Sequence, residues 1–190
     1  TFYLTRANIT VKHVPYWGVD DAGIGYIRIT KFSKNTAKDF SGALNDLKDQ
    51  GMTGLVIDLR GNSGGLLNNA INILDKLTDR GVNLLNTRGR IEKSNKKMNS
   101  RRVPVISSEI PLAILINQSS ASASEIVAGV IQDLDRGIIV GTRSFGKGLV
   151  QSMYNLNDTT TLKVTTAKYY TPSGRLIQKE DYLNNGFLTD

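Results

Sequence analysis

The sequence lacks cysteine entirely, and its 190 residues include one histidine, one tryptophan and four prolines. The absence of cysteine excludes disulfides, zinc–thiolate sites and cysteine nucleophiles, and it fits an oxidising or a reducing compartment equally well. Long apolar runs are also missing, because the longest, at 112–116, has the length of a strand rather than of a membrane-spanning helix. The length and composition predict a single globular domain with one core. Since Thr1 is not an initiator Met and no apolar signal core follows it, we expect a fragment or a processed form.

Positive charge exceeds negative charge, with 24 basic and 17 acidic residues and a formal net charge of +7. This excess raises the alternative of a protein that binds nucleic acid or an anionic surface, whose affinity would fall steeply with salt. The basic residues cluster mainly in 88–102, a polar stretch without strand or helix periodicity, which predicts a solvated loop. No nucleic-acid recognition motif accompanies it, so we expect no nucleic-acid partner.

Hydrophobic periodicity divides most of the chain into alternating strands and helices. The predicted order is a strand at 23–32, a helix that Thr36 caps and Gly51 ends, a strand at 55–59, a helix at 66–77, a strand at 112–116, a helix at 126–134 and a strand at 138–140. This order implies right-handed crossovers and a mostly parallel α/β sheet flanked by helices. Alternating patterns at 149–156 and 160–170 predict a C-terminal β-hairpin, and we expect 186–190 to be frayed.

In open α/β sheets, active groups lie beyond the carboxyl ends of the strands, so the turns after residues 59, 116 and 140 are the places to search. The first turn, 60–65, contains three glycines whose N–H groups could approach an oxyanion. The second, 119–125, places four serines at a helix start; a serine near a glutamate is ordinary capping chemistry, but four exceed what capping needs.

The third turn, 141–148, nearly matches the phosphate-binding loop G-x-x-x-x-G-K-[ST]. Gly148 replaces the hydroxyl residue that would hold magnesium, and the residues after it have a strand pattern where a phosphate loop needs a helix. Nucleotide binding is therefore not favoured. What remains is Lys147 between two glycines, with Gln151 four residues later on the same face of the predicted strand.

A serine nucleophile needs a base, and the only histidine, His13, lies far along the chain from all three turns. A lysine can serve as the base when burial disfavours its ammonium form, and Lys147 has apolar neighbours in the sequence; the alternative is an exposed loop lysine. Each signal is weak alone. Together, a serine-rich helix start, a glycine-flanked lysine and an N–H-rich turn are what a Ser-Lys acyl-transfer enzyme requires.

Four stretches of the sequence resemble the protease core of the carboxyl-terminal processing peptidases, also called tail-specific proteases. They are GIGYIRITKF, LVIDLRGNSGG, SSASASEIVAG with GTRSFGKGLVQ, and AKYYTPSGRLIQ. The resemblance implies a ClpP/crotonase-like fold and a serine endopeptidase that cleaves proteins near their C-termini through an acyl-enzyme. It implies neither a metal nor a cofactor.

The resemblance also implies roles for individual residues. The middle serine of S-A-S-A-S-E, Ser122, corresponds to the nucleophile, Lys147 to its general base, and Gln151 to the residue that orients the lysine. The N–H of Ala123 and that of a glycine in the turn, either Gly64 or Gly65, correspond to the oxyanion hole.

The chain departs from the family pattern at its N-terminus. Members usually carry a PDZ domain that captures the substrate C-terminus, and here only about its last strand, 2–9, is expected. We therefore predict a PDZ remnant and connector at 1–15, the protease core at 16–178 and a tail at 179–190. Either the PDZ domain lies outside this sequence or an adaptor delivers the substrate. A homo-oligomer and a cell-envelope, periplasmic or other extracytoplasmic location are further expectations. The main alternative is a non-catalytic peptide-binding module on the same fold.

Overall fold

The computed structural model describes residues 2–7, 9 and 11–179, which form two β-sheets and three α-helices. The elements are β1 (Tyr16–Val19), β2 (Ile24–Arg28), α1 (Thr36–Asp49), β3 (Gly54–Asp58), α2 (Leu67–Leu74), β4 (Asn83–Arg88), β5 (Lys96–Asn99), β6 (Leu112–Ile116), α3 (Ala123–Asp133), β7 (Ile138–Gly141), β8 (Leu149–Asn155) and β9 (Thr161–Tyr170). Within these described residues, no helix combines the length and hydropathy needed to cross a bilayer.

The larger sheet has five strands in the order β1-β2-β3-β6-β7. Strands β2, β3, β6 and β7 run parallel, and β1 pairs antiparallel with β2 at one edge. Parallel neighbours need crossover connections, and α1 and α3 supply those from β2 to β3 and from β6 to β7. The prediction of a mostly parallel sheet flanked by helices is confirmed, and β1 is a strand that the sequence analysis did not identify.

The core lies between this sheet and the helices. One face of the sheet contributes fully buried side chains from neighbouring strands in register, including Ile27, Ile57 and Ile114. Helix α1 contributes the predicted periodic stripe to the same core, and Phe40 and Leu44 of this stripe are fully buried. A helix with apolar residues at this spacing is stabilised chiefly by burying that stripe, which explains why the periodicity located it correctly.

The second sheet has four antiparallel strands in the order β5-β4-β9-β8. The predicted C-terminal hairpin, β8–β9, is confirmed, but it is one half of this sheet. The prediction that 88–102 is only a solvated loop is wrong, since β5 lies within it and pairs with β4. Strand β5 reads KKMN, and it escaped notice because an edge strand tolerates solvated lysines and needs little apolar character.

Three further expectations concern the start of α1 and the two ends of the chain. Thr36 does not cap α1: Asn35 holds the N-cap position, and the Thr36 hydroxyl accepts from the Ser33 N–H and donates to the Lys31 carbonyl. Residues 2–7 carry no strand assignment, and the division into a PDZ remnant, core and tail stays a prediction. The expected frayed end, 186–190, lies outside the described residues.

The last residue of β3, Asp58, is buried and anchors the turn that follows. Its carboxylate accepts hydrogen bonds from the Tyr26 hydroxyl at 2.6 Å, from the Arg28 guanidinium at 3.2 Å, and from the Arg60 side chain and backbone N–H. Burial alone would raise the pKa of Asp58, but the bonds from Arg60 and Tyr26 outweigh burial and lower the pKa to about 2. The start of the glycine turn is thereby fixed to the sheet.

Replacing Asp58 with asparagine is expected to flatten the acid dependence of stability. Because folding lowers the pKa of Asp58 from 3.8 to about 2, its carboxylate stabilises the fold fully above about pH 5 and loses this effect as the pH falls towards 2. With allowance for the solvent exposure of both arginines, the contribution is about 1 to 2 kcal/mol. Urea unfolding between pH 7 and pH 2 measures it, with exposed Asp21→Asn as the control. An Asp58→Asn variant whose stability declines with acid as steeply as the wild type's would contradict the assignment.

Candidate active site

The serine-rich segment at the start of α3 has two buried serines that hold it against the end of β3. The Ser120 hydroxyl donates to the Leu59 carbonyl and the Ser124 hydroxyl donates to the Asn62 carbonyl, each at 2.8 Å. Both side chains are fully buried. These bonds explain why the segment has more serines than capping needs, because two of them join the helix start to the glycine turn.

Ser122 differs from these neighbours in exposure and in backbone conformation. It is half-buried and occupies the N-cap position of α3. Its φ of 54° lies in the left-handed region, which non-glycine residues seldom adopt. Such strain persists only where the surroundings fix the backbone, and it is common at functional sites. The next N–H, that of Ala123, opens the helix, where backbone donors and the helix dipole favour negative charge.

Asn62 shapes the glycine turn from a fully buried position. Its amide donates to the Ile29 carbonyl and its side-chain oxygen accepts from the Gly64 N–H, both at 2.9 Å. The Gly64 N–H is therefore occupied. Within the described part of the chain, the N–H groups of Gly65 and Ala123 have no hydrogen-bond partner.

Gly64 packs directly against the serine segment. Its φ is +98°, and a Cβ at this position would lie 2.6 Å from the Ala121 carbonyl oxygen and 2.9 Å from the Ser122 Cβ. Only a glycine allows this approach of the two backbones. The positive φ and the lack of space at residue 64 both require a glycine. This glycine lets the turn pack directly against the helix start.

A single carboxylate joins the serine segment to the lysine loop between β7 and β8. Glu125 is 5% exposed. One of its oxygens, Oε2, accepts from the Ser122 N–H at 2.7 Å and from the Lys147 N–H at 2.8 Å. The other, Oε1, accepts from the Gly146 N–H at 2.6 Å and from the Ser144 hydroxyl at 2.7 Å. The backbone nitrogens of Ser122 and Lys147 are thus held close together, because both donate a hydrogen bond to the same oxygen atom.

The glycines beside Lys147 lie against the segment 178–179. A Cβ on Gly146 would collide with the Lys179 side chain, and one on Gly148 would collide with the backbone of Gln178. The buried Gln178 side chain also accepts from the Gly148 N–H at 2.9 Å. The lysine loop is therefore fixed from two sides, by Glu125 and by Gln178.

Neither Glu125 nor Gln178 is among the predicted site residues. The prediction of ordinary helix-start chemistry for Glu125 is half correct, since the bond from the Ser122 N–H is of that kind. Its other three donors come from residues 19 to 22 positions away, a separation that no local spacing rule reaches. Gln178 had no signal beyond its place in the AKYYTPSGRLIQ stretch.

Of the predicted pair Lys147 and Gln151, only Gln151 lies on strand β8. Lys147 is half-buried and precedes β8, so it does not share the alternation of that strand. Gln151 is exposed, and the pairing with β9 shifts register beside it. Among the described residues, no hydrogen bond joins the Lys147 side chain to Ser122 or Gln151; the structure brings Ser122 and Lys147 together through their backbones.

Other candidate chemistries have no support in the described residues. No three histidine, cysteine, aspartate or glutamate side chains there are grouped as metal ligands. His13 lies beside Thr30, with 3.5 Å between the ring Nδ1 and the Thr30 hydroxyl. The lysine loop leads into strand β8 and not into a helix, whereas a phosphate-binding loop needs a helix at this position.

Comparison with known proteins gives matches over most of the chain. The model of peptidase family S41 matches residues 23–185. The chain is 42% identical over 179 residues to the carboxy-terminal-processing protease of Bartonella bacilliformis, covering 92% of this chain and 40% of that protein. It is 37% identical to the chloroplastic C-terminal processing peptidase of Tetradesmus obliquus, covering 94% of this chain and 40% of that one. The chain thus spans about 40% of the length of these relatives.

A solved structure also matches closely. The photosystem II D1 C-terminal processing protease has a TM-score of 0.77 and 34% sequence identity, over 92% of this chain and 47% of that one. The likeness confirms the predicted fold class.

Gly64→Ala is expected to destabilise the protein considerably more than Gly61→Ala. Both glycines have positive φ, but a Cβ on Gly61 would meet nothing within 4 Å. Backbone strain alone predicts a loss of about 1 to 2 kcal/mol for Gly61→Ala, and added overpacking predicts about 2 to 4 kcal/mol for Gly64→Ala. Chemical denaturation of both variants measures the difference. Equal losses at the two positions would contradict the close packing of the turn on Ser122.

Proposed function

Because the chain belongs to peptidase family S41, we propose that it is the catalytic core of a serine endopeptidase with Ser122 as nucleophile and Lys147 as general base. One observation carries this proposal: the Ser122 and Lys147 N–H groups donate to the same carboxylate oxygen of Glu125. A nucleophile and a base must be held near each other before the substrate arrives. The shared carboxylate holds their backbones close together, which leaves the side-chain torsions of Ser122 and Lys147 to bring the hydroxyl and the amine together.

The proposed reaction has two stages, formation of an acyl-enzyme and its hydrolysis. The Ser122 hydroxyl attacks a substrate peptide carbonyl, and the Lys147 amine takes its proton. The tetrahedral intermediate collapses to an acyl-enzyme when Lys147 returns the proton to the leaving amine. Lys147 then takes a proton from a water molecule that attacks the ester, and it returns this proton to the Ser122 oxygen as the ester bond breaks and the carboxylic acid product leaves. Gln151, which is exposed and close in sequence, stays a prediction as the residue that orients the lysine.

The oxyanion is held by the N–H of Ala123 and by that of Gly65. Between the two glycines of the turn, hydrogen bonding favours Gly65, because the Gly64 N–H is taken by Asn62. Gly64 then has a different function, which is to bring the turn against the helix start. Two backbone donors beside the nucleophile, one of them at a helix N-terminus, are the usual means of stabilising the negative charge of an acyl-transfer intermediate.

The substrate class follows from the relatives, which are named for carboxyl-terminal processing. The proposed substrates are proteins or peptides with accessible C-termini, delivered by a PDZ domain or an adaptor. Binding energy remote from the scissile bond often positions it, so such a partner would raise turnover. Self-association, an extracytoplasmic location and the lack of a nucleic-acid partner remain predictions of the sequence.

Ser122→Ala and Lys147→Met are each expected to reduce peptide cleavage by at least about a thousandfold while the fold persists, because each removes an essential chemical group. The matched controls are Ser119→Ala, an exposed serine of the same segment, and Lys38→Met, an exposed lysine of α1. Both controls should keep wild-type rates. Products from peptides of defined C-termini are identified by mass spectrometry.

The same experiment separates the enzyme from a non-catalytic peptide-binding module. If wild type and Lys147→Met process peptide equally fast, Lys147 is not the base. If none of the proteins cleaves peptide but all bind it, the binding module replaces the enzyme.

Glu125→Gln is expected to lower kcat by about ten- to a hundredfold, since the side-chain amide can accept through only one of the two positions and leaves a buried N–H unpaired. The unfolding free energy should fall by about 1 to 3 kcal/mol. Ser144→Ala is the matched control, because it removes one bond to Oε1 and keeps both bonds to Oε2. The rate at which a fluorophosphonate labels Ser122 in the folded variants reports the position of the nucleophile directly. Equal labelling rates in Glu125→Gln and Ser144→Ala would show that Glu125 has only a structural role.

A further inference from the structure

The second sheet has two hairpins, β4–β5 and β8–β9, whose turns lie at the same end of the sheet. Strand β4 is antiparallel to β9, and β9 is antiparallel to β8, so β4 and β8 run in the same direction. The turn after β4 and the turn after β8 therefore leave the sheet at one end. Lys147 precedes the opposite end of β8. The surface formed by 88–97 and 151–165 is called the hairpin end below.

The first hairpin, β4–β5, concentrates exposed positive charge. Residues 88–97 include one glutamate and five exposed cations, which are Arg88, Arg90, Lys93, Lys96 and Lys97. Within the described part of the chain, none of these cations forms a salt bridge. The net charge of this hairpin is +4, which is more than half of the +7 of the whole chain. The excess positive charge of the protein therefore lies largely on one small surface.

The turn of this hairpin presents an apolar side chain among the cations. Ile91 is 67% exposed. The turn around it is hydrogen-bonded, because the Thr87 hydroxyl donates to the Ser94 carbonyl at 2.6 Å and the Gly89 N–H donates to the Asn95 side chain at 2.9 Å. The turn therefore has a defined shape in which its aliphatic side chain faces solvent.

The second hairpin, β8–β9, adds an apolar arm beside the first. Strand β4 pairs only with 168–170 of β9, so 151–165 form a two-stranded arm that has no third strand among the described residues. The arm carries several exposed apolar side chains, which are Met153, Tyr154, Leu156, Leu162 and Val164. A two-stranded hairpin is only marginally stable in water by itself. A surface that covers these apolar side chains would therefore stabilise the arm.

We propose that the hairpin end binds the surface of an anionic lipid bilayer. The cations would contact the headgroups, and Ile91 with the apolar side chains of the arm would reach the boundary with the acyl chains. A bilayer surface favours both features together, because anionic headgroups attract cations and the boundary accepts apolar side chains. The proposal does not depend on the proposed function.

Other occupants fit these residues less well. A single-stranded nucleic acid would use the cations, but it gains affinity by stacking its bases on aromatic rings, and the tip of the first hairpin carries Ile91 instead. A second copy of the chain would place two hairpins of charge +4 against each other. Binding to a bilayer would also leave the candidate active site accessible, since the length of β8 separates Lys147 from the turn by about 20 Å.

Co-sedimentation of the full chain with lipid vesicles tests the proposal. Vesicles of phosphatidylcholine with about one third phosphatidylglycerol should bind the protein at least about tenfold more tightly than vesicles of phosphatidylcholine alone, and added salt should weaken this binding. Equal binding to the two kinds of vesicle, or binding to neither, overturns the proposal. Tighter binding to a single-stranded oligonucleotide than to the anionic vesicles assigns the cations to nucleic acid and also overturns it.

Charge reversal shows whether the first hairpin is the contact. Arg90→Glu combined with Lys93→Glu should weaken binding to the anionic vesicles at least about thirtyfold, because each cation near such a surface contributes about fivefold. The matched control is Lys34→Glu combined with Lys38→Glu, which makes the same change in net charge at two exposed lysines beside and within α1. The control should stay within about threefold of wild type. Equal losses in the two double variants would mean that net charge alone attracts the protein, which contradicts the proposal.

A fluorescent label shows which surface enters the bilayer, and it does not require the charge variants to fold. Because the sequence lacks cysteine, Ile91→Cys provides a single attachment site for a nitrobenzoxadiazole fluorophore. The emission should shift to shorter wavelength and rise on anionic vesicles, since the label leaves water. Ile138→Cys is the matched control, because Ile138 is 65% exposed on β7 of the larger sheet, and its label should not respond. A response at residue 138 alone assigns the bilayer to the larger sheet. Vesicle binding without a response at residue 91 shows attraction without apolar contact, and either result overturns the proposal.

Discussion

The carboxylate of Glu125 is the interaction on which the arrangement of the site depends. A buried carboxylate is costly unless its lone pairs are satisfied, and here each oxygen accepts two hydrogen bonds. The four donors belong to two segments that are separate in sequence, the start of α3 and the loop before β8. The cost of burying the charge is therefore offset only when both segments are in place. Folding and the assembly of the site become one event.

The parallel sheet supplies the frame for this contact. Strands β3, β6 and β7 end at the same edge, which brings the glycine turn, the serine segment and the lysine loop together. Short-range bonds then fix each piece: Asp58 holds the start of the turn, and the hydroxyls of Ser120 and Ser124 join the turn to the helix. Topology alone would leave these loops free to shift relative to one another, and these buried polar bonds remove that freedom.

Elements with a periodic sequence pattern could be predicted from the sequence. Elements and contacts that depend on residues distant in the chain could not. The stripe of α1 and the apolar run of β6 are local patterns, and the structure has both at nearly the predicted residues. Strands β4 and β5 hold asparagines and lysines that pair across a sheet, so their strand character comes from partners rather than from composition. Ser122 and Lys147 could be nominated from their turns. Glu125 could not, because a local reading of a helix-start glutamate is correct and still omits three of its four bonds.

The proposed role of Lys147 as a general base suits this scaffold, because the backbone of its loop is fixed while its side chain remains adaptable. Glu125 and Gln178 hold the loop from both sides, and within the described part of the chain neither is hydrogen-bonded to the Lys147 amine. The side chain is half-buried, so bulk water still reaches the region where proton transfer has to occur. Excluding that water strengthens every electrostatic interaction in such a site. A peptide lying along the lysine loop would cover the amine at the moment of reaction, so that the substrate completes the site into which it binds. In the proposed mechanism, the fixed backbone then sets the position of the base, and the bound substrate sets when the base can act.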